Sequence, residues 1–152
     1  MTGPNGPTIH ASAVLVGARA LLIRGPAGAG KSRLALSLLQ ADDGNLLPFT
    51  RLVADDRAHV AASHGRLLVS PAPALAGMIE VRGLGIRTVP FEPLAVVGMI
   101  IDLAAAETKR LPDHPEDRTV VEGIALPRLA IAPGIDPLPA VLAVIQTKAL
   151  PA

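Results

Sequence analysis

Apolar positions along this 152-residue chain gather in short runs, broken by glycine, proline and charged residues, a spacing that suits strands better than long helices. After a Pro/Gly-rich start, residues 13–16 and 20–23 read as strands. The period then changes. In "KSRLALSLLQ", residues 31–40, Leu34, Ala35, Leu38 and Leu39 fall on one face at helical spacing and predict an amphipathic helix. "ADDGNLLPF" reads as a loop around Gly44 and Pro48, and "RLVADD" as a buried strand ending at Asp55-Asp56. In "HVAASHGRLLVS" a two-residue polar tip, His64-Gly65, separates apolar runs and predicts a hairpin. "PAPALAG" is a proline-punctuated connection, "MIEVRGLGIRTV" a strand broken by Gly83 and Gly85, and "LAVVGMIIDL" a further strand. "AETKRLPDHPEDR" reads as a charged, exposed stretch, "LPRLAIAP" as a strand, and residues 137–148 as a closing helix started near Pro139. Strands outnumber helices, which predicts an α/β fold with a mixed sheet, built as one domain over residues 1–152.

Half of the residues (50%) are hydrophobic, yet no apolar run approaches the ~20 residues of a membrane span. The longest run, "LAVVGMII", ends in Asp102. "MTGPNGPTIH" has neither a basic n-region nor an apolar h-region, so no signal peptide is expected. The absence of cysteine excludes disulfides and thiolate metal sites, and a cytoplasmic protein with no membrane role is the expectation. Aromatic residues make up 1% and the net charge is +1, which argues against nucleic acid as a partner.

The candidate chemistry begins at "GPAGAGKS": Gly25, Pro26, Ala27, Gly28, Ala29, Gly30, Lys31 and Ser32 fit the phosphate-binding pattern G-x-x-x-x-G-K-[ST]. The segment sits between a predicted strand and a predicted helix, the context in which loop N–H groups face phosphate oxygens. Lys31 would neutralise the β- and γ-phosphates of a nucleotide, and the Ser32 hydroxyl would ligate Mg²⁺. Of Asp55 and Asp56, one can hold or orient the metal shell while the other accepts a hydroxyl proton. An Asx-type turn closing a strand fits the same pair. Asp102, also after a hydrophobic strand, is a rival for the metal-binding acid. No N-K-x-D sequence is present, which disfavours a GTPase switch, and the chain is too short for the large lids of nucleotide kinases. Period two would put Glu80 and Arg82 on one strand face, where a surface ion pair is the plain reading, and Gly83 and Gly85 would allow a tight turn or bulge beside them.

The segments "IEVRGLGI", "RLVADDR" and "IHASAVLVGARALLIRG" closely resemble the signature, the acidic segment and the His-containing lead-in of the HPr kinase/phosphorylase family, and all stand in the family's order. The resemblance spans residues 9–111 and points to the short form found in alphaproteobacteria, without an N-terminal domain. It implies a P-loop-containing, phosphoenolpyruvate-carboxykinase-like fold. It also implies ATP-dependent phosphorylation of a serine on HPr or an HPr-like phosphocarrier, together with the reverse, phosphorolytic reaction and a hexameric homo-oligomer. By motif, Lys31 is the phosphate-binding lysine, Asp56 the proton acceptor and donor, Ser32 and Glu80 the Mg²⁺ ligands, with Asp55 a further candidate. His10 matches the active-site histidine and Arg110 a catalytic arginine. Pro26, Ala27 and Arg33 depart from the usual family loop, residues 42–48 form an insertion, and "IAPGID" matches the family's Pro-Gly-Arg segment only in part. The competing expectation is a nucleotide-binding regulatory module that transfers nothing.

Overall fold

The structure, a computed structural model, describes residues 7–42, 47–106 and 118–147. In chain order the elements are β1 (Thr8–Ile9), β2 (Ala11–Val16), β3 (Arg19–Arg24), α1 (Lys31–Ala41), β4 (Thr50–Ala54), β5 (Ala58–Ser63) and β6 (Arg66–Pro71). They continue with β7 (Met78–Val81), β8 (Gly85–Thr88), β9 (Ala95–Asp102), β10 (Arg118–Val121), β11 (Ile124–Ala130) and α2 (Leu138–Gln146).

Nine strands form one mixed sheet along the path β1-β5-β6-β9-β3-β2-β4, with β11 joined to β9 and β10 to β11. β9 runs parallel to β3 and β11, while its remaining neighbour and the other pairings are antiparallel. With β3 along one edge of β9, the other edge is shared: β6 pairs at Ala95 and Val96, and β11 at residues 100–102.

Side-chain alternation divides the core between the two faces of this sheet. Leu34, Ala35 and Leu38 of α1 pack on Val14, Leu21, Ile23, Leu52 and Ile101, with Val141 of α2 in the same cluster. Ala11, Ala13, Ala20, Leu22, Val53, Ala54 and Ile100 point to the opposite face. One irregularity bears on function. Register steps from Ala13↔Ala54 to Val14↔Leu52, so Val53 is an extra residue on β4. Val53 and Ala54 therefore both belong to the far face, and Asp55 emerges on the face that carries α1.

Helix α1 and the β5–β6 hairpin form where their local patterns place them. His64 and Gly65 take left-handed φ angles of 53° and 77°, the geometry that matches the twist of flanking strands. Two expectations are corrected. "MIEVRGLGIRTV" is not one broken strand: the tight turn its glycines allow is formed, and left-handed Gly83 and Gly85 reverse the chain into a separate β7–β8 hairpin. Arg82 consequently lies in the turn, not beside Glu80 on a strand face. Strand β10, with its tight turn at left-handed Glu122 and Gly123, has no counterpart in the sequence-based expectation. The charged stretch after Ala106 lies largely outside the described residues. Among the described residues, no helix is long and apolar enough to cross a membrane.

Candidate active site

Strand β3 ends at Arg24, and residues 25–30 turn the chain into α1. Gly25 packs tightly, since a Cβ there would lie 3.1 Å from the Leu103 Cβ. Gly28 and Gly30 adopt φ angles of 82° and 102°, which side-chain-bearing residues rarely take. Gly30 is the helix N-cap, no side chain caps the first turn, and that turn carries no acid. The amides at this end of α1 are thus left to an anion. Lys31 is buried, and its Nζ donates to the Gly25 carbonyl at 2.9 Å and the Pro26 carbonyl at 3.3 Å.

Asp55, only 7% exposed, is the centre of the polar network. Its Oδ1 accepts hydrogen bonds from Ser32 Oγ at 2.7 Å and Ser12 Oγ at 2.8 Å. Its Oδ2 accepts the Glu80 N–H at 3.1 Å. One carboxylate thereby joins the phosphate loop, strand β2 and the β7–β8 hairpin. Ser32 spends its only proton on Asp55, which leaves its oxygen lone pairs available to a cation. The Glu80 residue is exposed while its backbone holds Asp55.

Asp56 is exposed and left-handed, with φ 66°. Its N–H donates to Ser12 Oγ at 3.0 Å, and its carbonyl accepts the Ala11 N–H at 3.2 Å. His10, exposed at the bend between β1 and β2, is next to that backbone contact. Lys31, Ser32, Asp55, Asp56, Glu80 and His10 therefore gather at one end of the sheet, where β3 and β4 finish and β2 begins. Arg110 lies outside the described residues.

The other acid weighed as a metal ligand does different work. Asp102 accepts two hydrogen bonds from Arg24, each 2.8 Å, and one from Arg128 Nε. Burial alone would raise its pKa, but the hydrogen bonds and charges of Arg24 and Arg128 outweigh that and hold it below the usual aspartate range. With both oxygens committed to guanidinium groups, Asp102 ties the ends of β3, β9 and β11 together instead of facing a metal. Sequence reasoning passed over Ser12, Arg24 and Arg128. Ser12 left one signal: a polar residue inside the apolar run "ASAVLV" needs a buried partner.

The oxygen ligands gathered at the loop are hard: the Ser32 hydroxyl and the Asp55 carboxylate, with Glu80 joined to Asp55 through its backbone N–H. This set fits Mg²⁺, which is commonly held by one or two protein carboxylates with phosphate and water completing its shell. Among the described residues no group of three or more His, Asp or Glu side chains forms a cage that could hold a metal alone.

The sequence model of the HPr Serine kinase C-terminal domain matches residues 5–131, a segment that contains the phosphate loop, both neighbouring aspartates and the hairpin. The chain belongs to this family. Among HPr serine kinase relatives, the HPr kinase/phosphorylase of Clostridium tetani is 40% identical over 82 residues, covering 54% of this chain and 25% of the relative. That of Limosilactobacillus reuteri is 29% identical over 136 residues, covering 82% of this chain and 40% of the relative. The chain thus spans well under half the length of these curated relatives. The solved structure of the Hpr(Ser) kinase/phosphatase from Coxiella burnetii superposes with a TM-score of 0.71 at 27% identity, covering 93% of this chain and 89% of that one. The mixed α/β architecture of the HPr serine kinase C-terminal domain is therefore shared.

Proposed function

We propose that this chain is a protein serine kinase that passes the γ-phosphoryl group of ATP to HPr or an HPr-like phosphocarrier. The observation that carries this reading is the triple engagement of Asp55, which ties Ser32 of the phosphate loop to the strand end bearing Asp56. Phosphoryl transfer asks the protein mainly for positioning and charge stabilisation. Both Asp55 oxygens are occupied by donors, which suits a carboxylate that orients a metal shell. Asp56, exposed beside it, is suited to take the seryl proton. Lys31 and the amides that open α1 bind and orient the phosphates. Ser32 and Glu80, with Asp55 behind Ser32, would hold Mg²⁺, which when bound with ATP supplies charge neutralisation across the β- and γ-phosphates. By family resemblance, His10, which precedes the Ala11 contact to the Asp56 backbone, serves as the active-site histidine, and Arg110 meets the transferring group.

The relatives' names include phosphorylase, and the proposal extends to the reverse transfer, from phosphoserine to inorganic phosphate. It extends also to a cytoplasmic setting and to a homo-oligomer, hexameric by resemblance. Support for assembly comes from Leu84 and Ile86, 66% and 63% exposed on the β7–β8 hairpin, an apolar surface that a subunit contact would cover.

Incubation of the chain with HPr, Mg²⁺ and γ-labelled ATP tests the reading. Phosphoserine on HPr is expected. Tight ATP binding with no transfer to any carrier would instead support a nucleotide-sensing regulatory module. Phosphate release independent of an acceptor would mark a plain ATPase.

A further inference from the structure

Ser12 is wholly buried in β2, between Ala11 and Ala13, where an alanine or valine would pack without any polar demand. Alternation puts Ser12 on the same face as Val14, which packs in the cluster beneath α1. Its hydroxyl serves two neighbours at once. It donates to Asp55 Oδ1 at 2.8 Å and accepts the Asp56 N–H at 3.0 Å. The preceding residue completes the arrangement, because the Ala11 N–H donates to the Asp56 carbonyl at 3.2 Å. The peptide groups on both sides of the Asp56 Cα are therefore held by consecutive residues of one strand, β2. This matters because Asp56 stands at φ 66°, a conformation that costs a non-glycine residue energy and relaxes when its contacts are removed.

We infer that Ser12 is a positioning residue for phosphoryl transfer: its buried hydroxyl aims Asp55 at Ser32 and fixes the strained backbone that presents Asp56. β2 lies between the strand that leads into the phosphate loop and the strand that ends at the acids. A hydroxyl on β2 thus sets the distance between phosphate holder and proton acceptor. Without it, Oδ1 of Asp55 keeps only the Ser32 bond, and the Asp56 N–H loses its partner inside the fold. The inference rests on the kinase reading for its catalytic consequence, but not for its structural one.

The test compares Ser12→Ala and Ser12→Thr with the parent chain by three measurements. In amide hydrogen exchange followed by ¹⁵N NMR, Ser12→Ala should speed exchange at Asp56 roughly five- to tenfold, the loss of one net hydrogen bond. In HPr phosphorylation it should lower kcat about 10- to 100-fold, as removal of a group orienting a ligand carboxylate does, with the KM for ATP changed by less than about threefold. Ser12→Thr, which restores the hydroxyl, should recover most of both. Unchanged Asp56 exchange in Ser12→Ala overturns the inference whether or not the parent phosphorylates HPr. So does a parent-like kcat in Ser12→Ala. Asp56 exchange in Ser12→Thr as fast as in Ser12→Ala, at an equal melting temperature, also overturns it. A parent chain inactive on HPr with accelerated Asp56 exchange in Ser12→Ala refutes the kinase reading alone.

Discussion

Lys31 shows how one side chain can organise a loop. Its ammonium is buried and bridges the Gly25 and Pro26 carbonyls, so the loop closes around a positive charge at the mouth of α1. Lys31→Ala should lower HPr phosphorylation about 100- to 1,000-fold, the scale of losing one preorganised electrostatic donor, as measured by initial rates at saturating ATP. A loss of less than tenfold would contradict the role. Asp102 illustrates the opposite case, a carboxylate in a strand-end position whose charge is consumed by structure. Its folded-state pKa lies below the unfolded one, so ionised Asp102 adds stability at neutral pH. That contribution fades as pH falls below about 4, the ordinary aspartate range, toward the lowered folded value. Asp102→Asn should therefore cost about 1–2 kcal/mol at pH 7, allowing for partial exposure of its arginine partners, and the deficit should narrow by pH 3. Denaturant titrations at the two pH values check both; an equal deficit at each would exclude the linkage.

At the scale of elements, the β7–β8 hairpin is held at its root by Gly77. This glycine has φ 75°, and an added Cβ would approach a Phe91 ring carbon to 2.9 Å. Gly77→Ala should cost about 2–4 kcal/mol from backbone strain and overpacking together. It should also loosen the Glu80 N–H bond to Asp55, giving faster amide exchange at Glu80 than at the core strand β3. A parent-like melting temperature would contradict this. What could be read in advance follows from the range of the interactions. Helix α1 and the β5–β6 hairpin were legible because period and turn chemistry are local. The phosphate loop was legible for the same reason. The Ser12–Asp55 bond joins residues 43 apart and the Arg24–Asp102 pair residues 78 apart. Such contacts depend on strand order and register. The extra residue at Val53, which turns Asp55 to the helix face, depends on them as well.

At the scale of the whole molecule, sheet order brings together segments that are distant in the chain. β2 lies between β3 and β4, so the phosphate loop and the acids flank a common strand, and the hairpin closes over Asp55 from the side of α1. Leu84 and Ile86 leave that hairpin with an apolar face, and sedimentation velocity should give a species larger than a monomer that Leu84→Glu with Ile86→Glu shifts toward one. A monomeric parent would contradict the assembly. The most direct test of the central claim is a single-turnover measurement of phosphoserine formed on HPr by the parent chain and by Asp56→Asn, with ATP affinity measured in parallel. The expected result is transfer by the parent, and a rate at least about 100-fold lower in Asp56→Asn with ATP affinity nearly unchanged. Undiminished transfer by Asp56→Asn, or a parent chain that binds ATP and phosphorylates no carrier, would contradict it.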